Sequence, residues 1–290
     1  MRSARAAPWW TAVATLVLGM LALGAALLVP NAFSDPNGVD PYTARIGAAS
    51  ILMAAPALVL PRLRASRAML LALLSVAATY VVLSALPQLL VDVFGDGLFE
   101  SAVGNGDAQV FWASLAQAVL TLLVAVAALR LVPSEWRPRL RLAARPWGLA
   151  VGVAGSLALL GVALALPASW LGRVAVQPVA TLRDLAWLAP ANALQAFAQE
   201  VQFRGLLLGA LERVMPRGWA NLTQAAVFAL AHLAIAYGGP EAPFVPITFV
   251  VGLVFGLLVQ RTGSIWPAVT IHAVADIALQ FAIVPGLYGF

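Results

Sequence analysis

The stretch FAQEVQFRGLLLG, Phe197 to Gly209, places a carboxylate, a guanidinium and two amides inside a long apolar segment. The polar side chains belong to Gln199, Glu200, Gln202 and Arg204. A chain that avoids charge nearly everywhere else has to place these groups against partners or in a water-filled cavity, since burying them alone is costly.

The composition of the whole chain indicates a membrane protein. Its 290 residues are 62% hydrophobic and 10% charged, whereas soluble globular proteins carry about 25% charged residues. Cys is absent, which excludes disulfides, thiolate metal sites and a Cys nucleophile. No basic run with interleaved aromatic residues is present, so nucleic acid is not an expected partner. All 17 basic residues are Arg, a bias that we interpret as that of a GC-rich bacterial genome.

Nine apolar segments are each near the length of about 20 residues that a helix needs to cross a bilayer. They cover residues 9–30, 46–61, 68–91, 109–132, 147–170, 187–212, 219–237, 243–260 and 264–284. With the N-terminus inside, 13 of the 17 arginines fall on the inner side and eight acidic residues on the outer side, as the positive-inside rule expects. We therefore predict an all-α, multi-pass transmembrane helical bundle of about eight to nine spans in the plasma membrane, with a cytoplasmic N-terminus.

Once the charges at the ends of the segments are set aside, five ionisable side chains remain inside, all of them in the last four helices: Glu200, Arg204, His232, His272 and Asp276. Ionisable groups at membrane depth cost about 2.5 to 3.5 kcal/mol each on insertion scales and by default mark a functional site.

Polar stripes are also expected on three of these helices. Asn192, Gln195, Gln199 and Gln202 follow at spacings that place them on one helical face. Phe228 and His232 are four residues apart, as are His272 and Asp276. Together the stripes predict a hydrated chamber within the bundle.

Simpler interpretations exist for each residue. Glu200 and Arg204 are compatible with an intrahelical ion pair that tethers two helices, and Asp276 with a role in orienting His272. Phe228 by itself is typical of a core residue, and Gly205 of a helix-packing glycine.

Three chemistries are compatible with the set. The first is general base activation of water with oxyanion stabilisation. The second is zinc binding by Glu200, His232, His272 and Asp276, although no His-Glu-x-x-His spacing is present. The third is a proton or ion relay as in transporters, although no paired interrupted helices mark an inverted repeat.

Three motifs resemble the CAAX protease and bacteriocin-processing (CPBP, or Abi) family of intramembrane proteases. They are Gln199-Glu200-x-x-Phe203-Arg204-Gly205, Phe228-x-x-x-His232, and His272-x-x-x-Asp276 within GSIWPAVTIHAVAD. The resemblance covers about residues 187 to 284. It divides the chain into five N-terminal helices, residues 1–175, and a four-helix core of the CPBP type, residues 180–290.

The resemblance implies a role for each matching residue. The family's first Glu, at the position of Gln199 in this chain, and His232 activate the attacking water, while His272 and Asp276 stabilise the oxyanion. Glu200 and Arg204 support the site. No metal is expected to be required, since zinc is suggested only by the naming of the family. The implied partners are the lipid bilayer and a membrane-embedded or lipidated peptide or protein substrate.

One position departs from the family pattern. Gln199 stands where the family has its first Glu, and an amide can hold water but cannot take its proton. Either Glu200 or His232 replaces the missing base, or the chain is a catalytically impaired relative acting in membrane-peptide binding or immunity, or the change was introduced to silence the enzyme. Replacement by Glu200, which faces about 100° away, needs a helix distortion such as a π-bulge. His232 as the sole base is simpler.

Overall fold

The computed structural model describes residues 66–79, 107–165, 182–233 and 244–282. Every regular element in these ranges is helical, which confirms the all-α prediction. The elements are α1 (67–79), α2 (Asp107–Leu131), α3 (Pro146–Ala165), α4 (Leu182–Glu200), a π-helical segment (Val201–Leu207), α5 (Leu208–Leu211), α6 (Arg217–Leu233), α7 (Phe244–Thr262) and α8 (Trp266–Ala282). The predicted spans 9–30 and 46–61 lie outside the described residues.

Within the described residues, each of the remaining predicted segments coincides with helical structure, while residues 80–91, 166–170, 234–237, 243 and 283–284 of these segments lie outside. The helix of the predicted segment 187–212 begins earlier, at Leu182, and continues through the π segment to Leu211. In the part of the chain that the structure describes, no helix combines the length and the apolar character needed to cross a membrane. The count of eight to nine spans stays a prediction.

Large apolar side chains cover the outer faces of three helices. They are Val119, Leu123 and Val126 on α2, Val153, Leu157 and Leu160 on α3, and Ile247, Val250, Val254 and Leu257 on α7. Residues three or four apart share one face of a helix, so each set forms a continuous stripe. Exposed apolar surface of this kind marks contact with lipid or with another protein, while the interior combines an apolar core with buried polar side chains such as Glu200, Arg204 and Gln224.

The helix α2 runs parallel to α4 and the segments that follow it. Within the two helices, Gln195 Nε2 donates to Gln117 Oε1 at 2.8 Å. Farther along both stretches of chain, the Arg213 guanidinium donates to the carbonyl oxygens of Glu135 and Arg137 at 2.5 and 2.7 Å. Because the two contacts occur in the same order along the chain, the two helices point in the same direction.

Two glycines allow the connection between α2 and α3 to cross the π segment and α5. A Cβ atom on Gly205 would lie 3.2 Å from the carbonyl oxygen of Leu140, and one on Gly209 would lie 2.9 Å from Pro138 Cβ. Both distances are shorter than ordinary contact, so a side chain at either position would require the connection to shift. The prediction that Gly205 serves packing is confirmed, with the difference that it faces an extended connection instead of a helix.

A second glycine contact joins α6 to α7. Asn221 Nδ2 donates to the Leu253 carbonyl at 3.0 Å, and Gln224 Nε2 donates to the Gly252 carbonyl at 2.8 Å. A Cβ atom built on Gly256 would overlap Asn221 Oδ1. The absence of a side chain at Gly256 therefore keeps both amides within reach of the α7 backbone, and α6 carries His232 from this anchored position.

Gly256→Ala is expected to lower the free energy of unfolding by about 1 to 3 kcal/mol, the usual cost of overfilling a packed interface. The new methyl group would displace the Asn221 amide from its carbonyl partner. Thermal unfolding of the purified protein in detergent measures the effect. Gly161→Ala in α3 is the matched control, because no heavy atom among the described residues lies within 4 Å of its Cβ position. Equal melting temperatures for the two variants would contradict the packing account.

Candidate functional site

Part of the polar stretch Phe197–Gly209 is folded as a π-helix. Val201–Leu207 is π-helical and entirely buried, and the Leu208 amide donates to the Phe203 carbonyl five residues earlier. Such insertions occur mostly at functional sites, because they rotate the side chains that follow relative to those that precede. The distortion required for Glu200 to replace the missing base is thus present, immediately after Glu200.

Glu200 is the centre of the buried charges. Its Oε1 accepts a hydrogen bond from Arg204 Nη1 at 2.8 Å and one from His272 Nδ1 at 2.8 Å. Both Glu200 and Arg204 are completely shielded from solvent. The intrahelical ion pair suggested by the sequence is therefore present, and it is extended to a second helix, since His272 lies on α8.

Three aromatic rings surround the Arg204 guanidinium. Its central carbon lies 4.2 Å from the ring centroid of Phe228, 5.2 Å from that of Phe255 and 5.9 Å from that of Phe203. A cation over the face of an aromatic ring is stabilised by the ring quadrupole, and more strongly when both are desolvated. Phe255 was not predicted as a site residue, because a Phe in an apolar helix cannot be distinguished by sequence from a residue of the hydrophobic core.

Phe228 lies between the two histidines of the chain. Its ring centroid is 4.4 Å from that of His232 and 5.9 Å from that of His272. The predicted pairing of Phe228 with His232 on one helix face is thus observed, and the same ring also contacts the imidazole on α8. Phe228 serves the site as well as the core.

The tautomer of His232 follows from its hydrogen bond. Nδ1 lies 2.7 Å from the Phe228 carbonyl oxygen. A carbonyl oxygen can only accept, so Nδ1 carries a proton and the lone pair of the neutral ring is on Nε2.

His272 has carboxylates facing both of its ring nitrogens. Nδ1 donates to Glu200, and Nε2 lies 3.5 Å from Asp276 Oδ1, one helical turn away. The orienting contact between Asp276 and His272 that the sequence suggested is therefore present, at a longer distance than the contact with Glu200. His272 can donate from Nε2 only as the imidazolium, and the Asp276 carboxylate can balance that charge, since Arg204 balances Glu200.

The amide stripe on α4 and the π segment is used differently from residue to residue. Gln202 Nε2 donates to Thr79 Oγ1 at 3.0 Å and to Ser75 Oγ at 3.4 Å, both on α1. Gln195 bonds to Gln117 on α2. The chamber expected from three C-terminal helices thus has helices from the N-terminal part of the chain as neighbours, which no motif in the sequence indicated.

Gln199 lies between these two anchored amides and is 7% exposed. Its Oε1 is buried and has no hydrogen-bond partner among the described residues. Within the same ranges, Glu200 Oε2 and the Arg204 Nε and Nη2 atoms are likewise buried without a partner. The site therefore keeps unused acceptors and donors next to its ion pair.

The candidate zinc ligands do not form a metal-binding group. In the described part of the chain, no three His, Cys, Asp or Glu side chains are arranged to hold a metal ion. Glu200 instead takes part in the contacts with Arg204 and His272. The arrangement is that of a hydrogen-bonded charge network, with donors and acceptors aimed at each other.

The comparisons with known proteins agree with the resemblance seen in the sequence. Residues 181–278 match the family model described as type II CAAX prenyl endopeptidase Rce1-like. The match covers about a third of the chain, includes all three motifs, and confirms the CAAX protease resemblance for that segment. The family is a membrane-embedded protease family. No curated protein and no solved structure gave a match.

Proposed function

We propose that this chain, whose residues 181–278 belong to the type II CAAX prenyl endopeptidase Rce1-like family, is an intramembrane endopeptidase that hydrolyses peptide bonds of membrane-associated peptides or proteins. It lies in the plasma membrane with a cytoplasmic N-terminus. The observation that carries the proposal is the hydrogen bond from His232 Nδ1 to the Phe228 carbonyl. This bond places the basic lone pair of the ring on Nε2, as a general base requires.

In the proposed reaction His232 Nε2 takes a proton from a water molecule. The resulting hydroxide adds to the carbonyl carbon of the substrate peptide bond, and His272 stabilises the oxyanion through its Nε2 proton. When the intermediate collapses, the carbon–nitrogen bond breaks and His232 returns its proton to the leaving amine. The products are a carboxylic acid and an amine, with one water consumed, and transfer of the acid proton to the amine gives a carboxylate and an ammonium.

Glu200 and Arg204 act on this reaction through His272. Glu200 Oε1 holds the Nδ1 proton of His272, and Arg204 balances the charge of Glu200. Because Glu200 Oε1 is shared between these two donors, Glu200 is assigned to holding His272 in place, and His232 is assigned as the general base. Phe203 and Phe228 exclude water from the ion pair, and exclusion of water strengthens its electrostatic effect.

Gln199 binds the attacking water in this scheme and does not deprotonate it. Its buried amide oxygen, which has no partner within the described ranges, is suited to accept a hydrogen bond from water. A missing carboxylate base typically lowers the rate by about 10² to 10⁴. The parent protein is therefore expected to be a slow enzyme.

Slow cleavage that depends on His232 is the expected result of the direct test. The purified full-length protein, in detergent or lipid nanodiscs, is incubated with a library of membrane-associated and lipidated peptides, and new termini are identified by mass spectrometry. His232→Ala is expected to abolish cleavage because it removes the base, while Leu222→Ala, an exposed apolar position on the same helix, is expected to retain it.

Cleavage that persists unchanged in His232→Ala would overturn the assigned base. The same Gln199 amide favours a second function, in which the chain binds membrane peptides without cleaving them. Binding of a library peptide by parent and Gln199→Glu proteins, with no product from either, would replace the peptidase by this alternative.

A further inference from the structure

A line of polar side chains lies between α2 and α4 and ends at Gln199. We call it the amide seam, and it consists of Gln117, Thr121, Gln195 and Gln199. Gln117 and Gln195 are joined by a hydrogen bond of 2.8 Å. Since α2 and α4 are parallel, Thr121, one turn beyond Gln117, lies at the level of Gln199, one turn beyond Gln195.

Three oxygen atoms of the seam are buried and unpaired. Thr121 Oγ1, Gln195 Oε1 and Gln199 Oε1 have no hydrogen-bond partner within the described ranges. Leaving a buried polar group unpaired costs about 1 to 3 kcal/mol, and buried water is the usual partner of groups that protein atoms do not satisfy. Two successive turns of the seam thus offer hydrogen-bonding sites for water.

The Thr121 hydroxyl differs from five other helical hydroxyls of this protein. Those of Ser75, Thr79, Ser156, Thr262 and Thr270 each donate to a backbone carbonyl three or four residues earlier. This local bond is the usual solution for Ser and Thr inside a helix. Thr121 makes no such bond to the described backbone although only 1% of it is exposed, so its hydroxyl remains available to the seam.

The seam is narrow. Ala118 on α2 and Ala196 on α4 flank it, and both are completely buried. Small residues at a helix interface let the two backbones approach closely, so a peptide strand does not fit between α2 and α4.

We propose that the amide seam conducts water along α2 and α4 to Gln199. The proposal rests on the proposed function, since it supplies the water that the hydrolysis consumes. Each amide and the Thr121 hydroxyl can both donate and accept, so a water molecule can exchange partners from one turn to the next. The water then arrives at the residue that stands beside Glu200 in the chain.

Accessibility of single cysteines tests the seam directly, because the chain contains no Cys. Thr121→Cys and Gln195→Cys are compared with Val259→Cys, a buried position of the apolar core. The folded protein in detergent is exposed to Ag⁺, which travels with water, and the remaining thiols are counted with a maleimide after denaturation. The seam cysteines are expected to react at least about tenfold faster than the core cysteine, since thiol reactivity follows access. Equal rates would overturn the proposal.

The labelling needs no peptidase activity, so its failure is distinct from failure of the proposed function. In the cleavage assay, Thr121→Val is expected to lower kcat several-fold with KM unchanged, and Thr121→Ser is expected to restore it. Unchanged kcat in Thr121→Val, with labelling intact, would overturn the supply of reacting water by this route. Protection of both seam cysteines by a saturating membrane-associated peptide would assign the seam to peptide instead of water.

Discussion

Gln199→Glu is expected to raise the turnover of peptide hydrolysis by about 10² to 10⁴, the contribution of a positioned general base. The change is nearly isosteric, and it places a carboxylate oxygen where the amide oxygen is now buried without a partner in the described part of the chain. A carboxylate can both hold the water and take its proton, whereas the amide can only hold it. Measuring kcat and KM on one cleaved peptide separates the gain in the chemical step from any gain in binding.

Gln195→Glu is the matched control for this prediction. It introduces the same carboxylate one turn earlier on the same helical face. Turnover is not expected to rise in this variant. A gain of similar size in Gln195→Glu would show that added negative charge, and not its position, raises the rate. No gain in Gln199→Glu, with cleavage by the parent still measurable, would contradict the assignment of this position to the attacking water.

Arg204→Met is expected to lower the free energy of unfolding by about 3 to 5 kcal/mol, the cost of leaving one partner of a buried ion pair uncompensated. Arg204 and Glu200 are both completely buried, and their contact is 2.8 Å. Met retains much of the apolar stem that packs against the three phenylalanine rings. The decrease in the free energy of unfolding therefore measures mainly the effect of removing the guanidinium charge. Denaturant or thermal unfolding of the purified protein measures it.

A second substitution distinguishes lost charge balance from lost packing. The double variant Glu200→Leu with Arg204→Met removes both charges and is expected to recover part of the stability. It is expected to lack cleavage, because His272 has lost its hydrogen-bond partner Glu200. Arg217→Met is the surface control, since its side chain is 63% exposed and lies 3.6 Å from Glu212. Glu212 is 13% exposed and Arg217 also donates to the Gln260 carbonyl, but solvent screens the exposed guanidinium, so the ion pair contributes less than about 1 kcal/mol. A double variant less stable than Arg204→Met would contradict the ion-pair account.

Much of the site was predictable from residue spacing alone. Side chains four apart meet on a helix whatever surrounds it, so the contacts of Glu200 with Arg204 and of His272 with Asp276 follow from the sequence. The rarity of charge in the apolar segments singled out these residues, because each ionisable group retained there carries a cost. Spacing within one helix says nothing about which helices are neighbours, and the bond from His272 to Glu200 was not predictable for that reason.

The all-helical class, the approximate positions of the described helices, the ionisable residues of the site and the resemblance to the CAAX proteases could all be predicted from the amino-acid sequence. These properties depend on apolar periodicity and on motif residues, which are local. Other contacts were seen only once the helices were packed together. Glu200 joins Arg204 to His272, Phe255 is the third ring around the Arg204 guanidinium, and α1 and α2 form hydrogen bonds with the amides on either side of Gln199. Those contacts join residues far apart in the chain, so they depend on how helices pack and on the π-helical turn that reorients one face.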